Sequence, residues 1–440
     1  MPICRAKDGK EHPNITVPDT SIAFRCTAVM INDSNLRPGR RSFVAFLIAF
    51  CCSGIAIEMA STAVAWQLYA TTGRASDLGL IGLARFLPSL VLVLPAGHMA
   101  DRYDRRLLVT AAQVIACLSL AGLWLLSGAG APARLYVLAL VNMGGIAAAL
   151  RGPAFQSMVP GLVPASGLAR ASAETAASGE IASIAGPVLG GLLYLAGPGT
   201  VYGAAALLTM VSGMLVARLH YAQDLAPRTP ITRKDLFAGV HFIRARPDIF
   251  GVISLDLFAV LLGGATALLP VFAKDVLHTG PWGLGLLRMA PSIGAVAVGV
   301  GLSRCPINRH VGVLMFGCVA GFGLATLWFA VSTSLWMSLL ALTFLGGFDM
   351  VSMVIRSTLV QMETPDAMRG RVGAINSIFV NTSNQLGAFE SGMLAAWVGA
   401  VPAVIFGGLG TLVVTALWMR WFPDLRQRQS LTPTTSPMPM

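Results

Sequence analysis

Charged residues are what this 440-residue chain has least of: Asp, Glu, Lys and Arg make up 12% of it, about half the share of an ordinary soluble domain. Such a composition argues against a water-soluble globular protein, because too few charges remain to dress its surface. The seven cysteines are odd in number and fall in apolar or basic segments, so no disulfide framework is expected. No nucleotide-binding loop of the form G-x-x-x-x-G-K-S/T occurs, nor an H-E-x-x-H metal motif or a G-x-S-x-G elbow. ATP-driven transport and hydrolytic chemistry find no support, and the expectation is a non-enzyme without metal or cofactor. Residues 1–41 hold one short apolar run, broken by Arg25, and do not read as a cleavable signal peptide.

What the chain has in abundance is apolar sequence, at 55% of residues with a mean hydropathy of +0.71. Runs long enough to cross a ~30 Å hydrocarbon core are predicted over 43–68, 78–98, 107–128, 135–158, 172–197, 201–218, 249–273, 282–303, 311–332, 335–360, 372–398 and 401–421. An even number of spans puts both termini on one side. The basic N-terminal tail and Arg420, Arg426 and Arg428 assign that side to the cytoplasm by the positive-inside rule. The net charge of +11 would suit nucleic acid, but most of it falls in tails and loops of this one side, which is topology and not a nucleic-acid face. The predicted organisation is a cytoplasmic tail (1–41), a six-helix bundle (42–218), a basic, proline-containing cytoplasmic linker (219–248), a second six-helix bundle (249–421) and a cytoplasmic tail (422–440).

The two bundles repeat one another, a test best made before any motif is trusted. Ala84-Arg85-Phe86-Leu87-Pro88-Ser89 in span two matches Leu287-Arg288-Met289-Ala290-Pro291-Ser292 in span eight through Arg, Pro and Ser. Arg151, Gln156 and Pro160 match Arg356, Gln361 and Pro365, and Arg170, Gly186 and Gly191 match Arg371, Gly387 and Gly392. With an even number of spans in each half, the halves run parallel about an axis along the membrane normal.

Between spans two and three lies Gly97-His-Met-Ala-Asp101-Arg102-Tyr-Asp104-Arg105-Arg106, a short wet turn dense in ionisable groups. Glycine, aspartate four residues on, then arginine and a further arginine pair resemble the loop between helices 2 and 3 of the major facilitator superfamily. Asp104 stands where many members have glycine. The resemblance covers roughly residues 42–421 and implies the twelve-helix, all-α major facilitator fold, with Gly97, Asp101, Arg102, Arg105 and Arg106 latching the cytoplasmic side. Gly186-Pro187-Val188-Leu189-Gly190-Gly191 in span five resembles the glycine-proline motif of the efflux branch. Val64 to Tyr69, the Leu262 to Phe272 run and the Pro365 to Arg371 loop look like the branch that contains enterobactin exporters and related bacterial efflux proteins.

A charge at mid-membrane costs at least ~2.5–3.5 kcal/mol on insertion scales, so helices that carry one must have an interior surface to hide it. Such charges occur in spans one, two, four, five, seven, eight, ten and eleven, and not inside three, six, nine or twelve. Every third helix should therefore face lipid. Asp349 reads as a proton carrier, as the anchor of a cationic substrate, or as a partner that fixes an arginine. Glu58 and Asp256 stand in cavity helices of opposite halves and are further candidates for proton coupling. Arg85 and Arg288, as symmetry mates, read as interface residues, as do Glu180, Asn381 and Gln385 through interhelical hydrogen bonds. Arg151 and Arg356 read as gate residues able to meet Asp101.

The function expected is a secondary active transporter: a proton-coupled exporter of a siderophore, drug or metabolite working by alternating access. Alternatives are a proton-coupled importer, and a non-transporting receptor or lipid scramblase. The partners expected are a small-molecule substrate, protons and the lipid bilayer, with no nucleic acid, for a monomer in a bacterial inner membrane.

Overall fold

In the computed structural model, described over residues 38–128, 134–219, 241–305, 307 and 309–430, the apolar runs are helices. They are α1 (Pro38–Thr72), α2 (Ala75–Arg102), α3 (Arg105–Gly128), α4 (Arg134–Leu162), α5 (Leu168–Leu193), α6 (Pro198–Ala217), α7 (Pro247–Leu262), α8 (Gly280–Arg304), α9 (Val311–Val331), α10 (Leu335–Glu363), α11 (Asp366–Val398) and α12 (Ala400–Trp421). A short α13 (Pro423–Gln427) follows. Eleven segments among the described residues are long and apolar enough to cross a membrane. The 33-residue α11, with Asn376, Asn381, Asn384, Gln385 and Glu390 along it, is not one of them. Most of the expected linker lies outside the described residues, as do the ends of both tails; residues 241–245 are helical.

Helix ends follow local chemistry. Gly197 (φ 106°) and Gly399 (φ 93°) turn α5 into α6 and α11 into α12 in conformations a side chain would strain. Pro198 and Pro247 open their helices at positions where a missing N–H costs nothing. The run expected to be continuous over 249–273 is instead interrupted. After Gly263 and Gly264 come a 3₁₀ turn (Ala265–Leu268), a single α turn (Leu269–Val271) and a π turn (Phe272–Val276). Pro270 supplies no N–H and cannot continue the ladder, and Gly264 lies against the Gly387 carbonyl with no room for a Cβ.

The packing repeats as the sequence does. Helix α1 packs on α5 and α6, as α7 packs on α11 and α12; α4 packs on α2 and α3, as α10 packs on α8 and α9; α3 packs on α6, as α9 packs on α12. The halves meet through α2 on α11 and α5 on α8. Glycines matched in sequence make matched contacts. Gly186 lies against the Ile55 backbone of α1 and Gly387 against Val260 and Leu261 of α7; Gly191 faces Pro281 and Gly285 of α8, and Gly392 faces Ala75 and Gly79 of α2.

Three apolar clusters stay within one half, whereas a fourth joins both. In it Ala65, Tyr69 and Leu78 pack with Leu268, Phe272, Leu284 and Ala395. The halves therefore converge at the end opposite the one where α1 begins and α12 ends. The outer surface carries exposed Leu118, Trp124, Leu207, Val313, Leu324, Phe406 and Val413 from α3, α6, α9 and α12, which suits contact with lipid tails.

Replacing Gly191 or Gly392 by leucine wedges the two halves apart, and each change is expected to lower stability by about 1–3 kcal/mol. Gly317→Ala, where a Cβ meets nothing within 4 Å, should be neutral or stabilising by up to ~1 kcal/mol. Thermal denaturation in detergent measures the contrast.

Candidate transport site

Two charge clusters stand inside the bundle, one within the second half and one centred on α1, to which both halves contribute. In the second half Arg356 of α10 is ion-paired through Nη1 with Asp256 of α7 and lies 3.6 Å through Nη2 from Asp349, two helical turns back on its own face. Its Nε donates to the Ser352 carbonyl at 3.3 Å. The Arg356 and Asp256 side chains are 10% and 13% exposed, but Asp349 is 48% exposed, so one carboxylate is locked in and the other is open. The cluster carries a net charge of −1 when all three groups are ionised.

In the first half the corresponding arginine, Arg151 of α4, donates from Nη1 to Ser53 Oγ of α1 at 2.8 Å. Serine thus occupies the place that Asp256 holds in the second half, and Gly144, seven residues before Arg151, occupies the place of Asp349. Eight residues, or about two turns, along α1, Ser61 Oγ accepts Arg85 Nη1 of α2 at 3.0 Å and Arg288 Nη1 of α8 at 3.0 Å. Arg288 also reaches Thr62 Oγ1 at 3.4 Å. The two arginines matched in the repeat therefore converge from opposite halves on one hydroxyl, using both of its lone pairs. Glu58 lies on α1 between the two serines, five residues after Ser53 and three before Ser61. Three guanidinium groups and one carboxylate leave this cluster at +2.

The glycine-proline motif bears directly on this site. Gly186 approaches α1 at Glu58 so closely that a Cβ would collide with that residue's own Cβ, and Gly190 lies on the Met59 carbonyl. The motif fixes α1, and with it Glu58, Ser61 and Thr62, against α5. Of the polar residues assigned to the interface, Glu180 and Asn381 are exposed and Gln385 is half-buried with its backbone carbonyl against Gly82. Asn384 donates to the Val380 carbonyl of its own helix at 2.9 Å.

At the loop between α2 and α3, Gly97, Asp101 and Arg102 belong to the last turns of α2, and their side chains lie outside the described ones. Arg105 donates to the Ser157 carbonyl of α4 at 2.6 Å, and Arg106 joins Asp104 at 2.9 Å and the Leu219 carbonyl at 3.0 Å. The Arg106 guanidinium holds the Asp104 carboxyl below its usual range, so Asp104 stabilises the turn at neutral pH, and that contribution is lost as pH falls through the depressed value.

Two polar contacts escaped the sequence reading. At the convergent end Tyr69 of α1 donates to the Asp275 carboxylate, and Lys274 donates to the Ala70 carbonyl at 3.3 Å with its ammonium 5.3 Å from the Tyr69 ring. Beside them a space of about 660 Å³ is lined by Arg74, Asp275, Ala395 and Pro402. At the other end buried Arg428 pairs with Glu363 and lies 3.8 Å from Asp248.

Removing Arg356 strands Asp256 among apolar helices. Arg356→Ala is expected to cost about 3 kcal/mol of stability, most of it recovered when Asp256→Asn is added. Denaturation of both variants in detergent checks the pairing.

Comparison with known proteins extends over nearly the whole chain. Residues 34–438 match the sequence profile of a family described as transmembrane secretion effector. The enterobactin exporter EntS of Citrobacter koseri is 26% identical over 408 residues, covering 91% of this chain and 96% of that one. Its counterpart in Escherichia coli is 26% identical over 402 residues, covering 89% and 94%. Among solved structures, a mutant of the nucleoside transporter NupG superposes with a TM-score of 0.71 at 14% identity, covering 87% of this chain and all of that one. A bacterial homologue of the lysosomal transporter Spinster, inward-facing and unoccupied, gives 0.65 at 14% identity, covering 90% and 99%. The repeat, the paired packing of α1–α6 and α7–α12 and the profile match agree: the chain belongs to the major facilitator superfamily, in its transmembrane secretion effector family.

Proposed function

We propose that this protein exports a small molecule across a bacterial inner membrane in exchange for protons, with both termini in the cytoplasm and the monomer as the working unit. The observation that carries the reading is the Asp256–Arg356–Asp349 triad between the cavity helices of the second half. One carboxylate is held and one is open, so a proton arriving at Asp349 changes which partner Arg356 serves without leaving the arginine unpaired. Export is favoured over import by the family, by the similarity to proteins named enterobactin exporters, and by the glycine-proline motif packed on α1.

In this mechanism the halves 42–218 and 249–421 rock about the centre. Protonation of Asp349 weakens its hold on Arg356 and favours one orientation; release of the proton to the cytoplasm restores the other. Glu58 is a second proton site, facing the arginines of the first half. The convergent end, with Tyr69 on Asp275 and α5 on α8, forms the outer gate, closed in this conformation. Asp101, Arg102, Arg105 and Arg106 belong to the inner latch that closes in the opposite state. A proton-coupled importer would use the same groups, and the direction of substrate flux separates the two.

Asp349→Asn removes the titrating group while keeping the shape of the side chain. Reconstituted with an imposed pH gradient and a panel of siderophores, dyes and antibiotics, wild-type protein should release luminal protons when a substrate is added. The asparagine variant should fold normally and lose that signal. Full proton-coupled transport by the variant would overturn the assignment.

A further inference from the structure

The first-half arginine cluster does not look like a structural ion pair, because it has more cations than anions. Breaking a buried pair is costly, and in the second half Arg356 is served by two carboxylates. Its counterpart Arg151 has serine and glycine in their places, and its Nε is buried without a hydrogen-bond partner among the described residues. Where Asp349 stands in the second half, the first half has space. A cavity of about 90 Å³ is lined by Gly144, Arg151, Arg85, Ser61 and Gln113, with apolar side chains around them. Arg288 approaches the same hydroxyl from across the interface. Glu58 offsets only one of the three positive charges.

We propose that this cavity binds an oxyanion of the transported molecule, so that the substrate is a small organic anion whose carboxylate, phosphate or acidic phenolate lies against Arg85 and Arg151, beside the Ser61 hydroxyl that Arg288 reaches from the other half. Arginine presents donors in a planar fork that suits such groups, and charge-assisted hydrogen bonds of this kind are the strong ones. Glu58, the one carboxylate on α1 between Ser53 and Ser61, then repels a bound anion through space. The inference rests on the exporter reading for the word "transported", but the site stands on its own geometry and is tested without transport. It also bears on the energy source: an anion leaving a cell whose interior is negative moves down the membrane potential, so anion export against proton entry is electrogenic in one direction.

The test uses purified full-length protein in detergent at constant ionic strength. Three aromatic probes of nearly equal shape are compared: phthalate, its neutral diamide and o-xylylenediamine, with chloride as an inorganic control. Binding is read from the shift in melting temperature and from tryptophan fluorescence. Phthalate should stabilise the protein and the others should not. Arg85→Gln and Arg288→Gln should each weaken phthalate by about tenfold or more. Glu58→Gln should tighten it, a direction that loss of a merely structural carboxylate would not give, and this variant decides the matter should the arginine variants fold poorly. Equal stabilisation by the diamide, a preference for the diamine, equal protection by chloride, no stabilisation by phthalate, or unchanged phthalate binding in Glu58→Gln would each overturn the proposal. The assay is indifferent to proton coupling, so phthalate binding with no proton exchange would refute the exporter reading alone, and proton exchange without phthalate binding would refute this one alone.

Discussion

The constraint on which this structure depends is the cost of carrying an ionised group into a low-dielectric interior. Desolvation of each ion costs several kcal/mol even after relaxation, and only close partners recover it. Arg356 recovers it with two carboxylates. Arg85, Arg151 and Arg288 recover less, from serine and threonine hydroxyls. Arg356 to Asp256, Arg151 to Ser53 and Arg288 to Ser61 and Thr62 each cross between helices that are not neighbours in sequence, so the charges that make the bundle expensive also fix how its helices are arranged. The glycines of α5 and α11 let backbones come close enough for such short side chains as Ser53 and Ser61 to reach a guanidinium.

The repeat was legible in the sequence, and the structure turns it into geometry. Gly186 and Gly387, and Gly191 and Gly392, were matched by spacing alone, and each pair makes equivalent contacts. The helices that carry buried charge were legible for the same reason: burying a charge leaves a mark on composition. What could not be read was facing. Arg85 and Arg288 were recognised as mates, yet that they meet on one hydroxyl depends on helix rotation and on the approach of α1, neither of which spacing encodes. The interruption of α7 was hidden because Gly263, Gly264 and Pro270 sit within an apolar run, and glycine and proline are tolerated in membrane helices when neighbours satisfy the freed backbone groups. Tyr69 and Asp275 are far apart in the chain, and nothing local announces a pair formed only by closure of the bundle.

The departures from symmetry are as informative as the symmetry. Ser53 for Asp256 and Gly144 for Asp349 convert one copy of an inherited ion cluster from an anionic to a cationic one while the helices around it keep their packing. In the reading proposed above, one half exchanges a proton and the other holds negative charge. A duplicated scaffold thus acquires two chemistries by exchanging two side chains per cluster, and the continuous α1 against the broken α7 shows the same divergence in the backbone.

Arg85 and Arg288 belong to different halves, and both donate to Ser61, so their cationic groups stand within about 6 Å of each other. At an effective dielectric constant near 20 such a pair repels by roughly 2–3 kcal/mol. Any rocking of the halves that opens this end must draw them apart. A ligand held by both is therefore gripped in one state of the cycle and let go in the other, with no separate device needed to lower the affinity. In the proposed cycle the two orientations thus differ in their hold on the ligand, and the coupled gradient decides in which direction that difference is used.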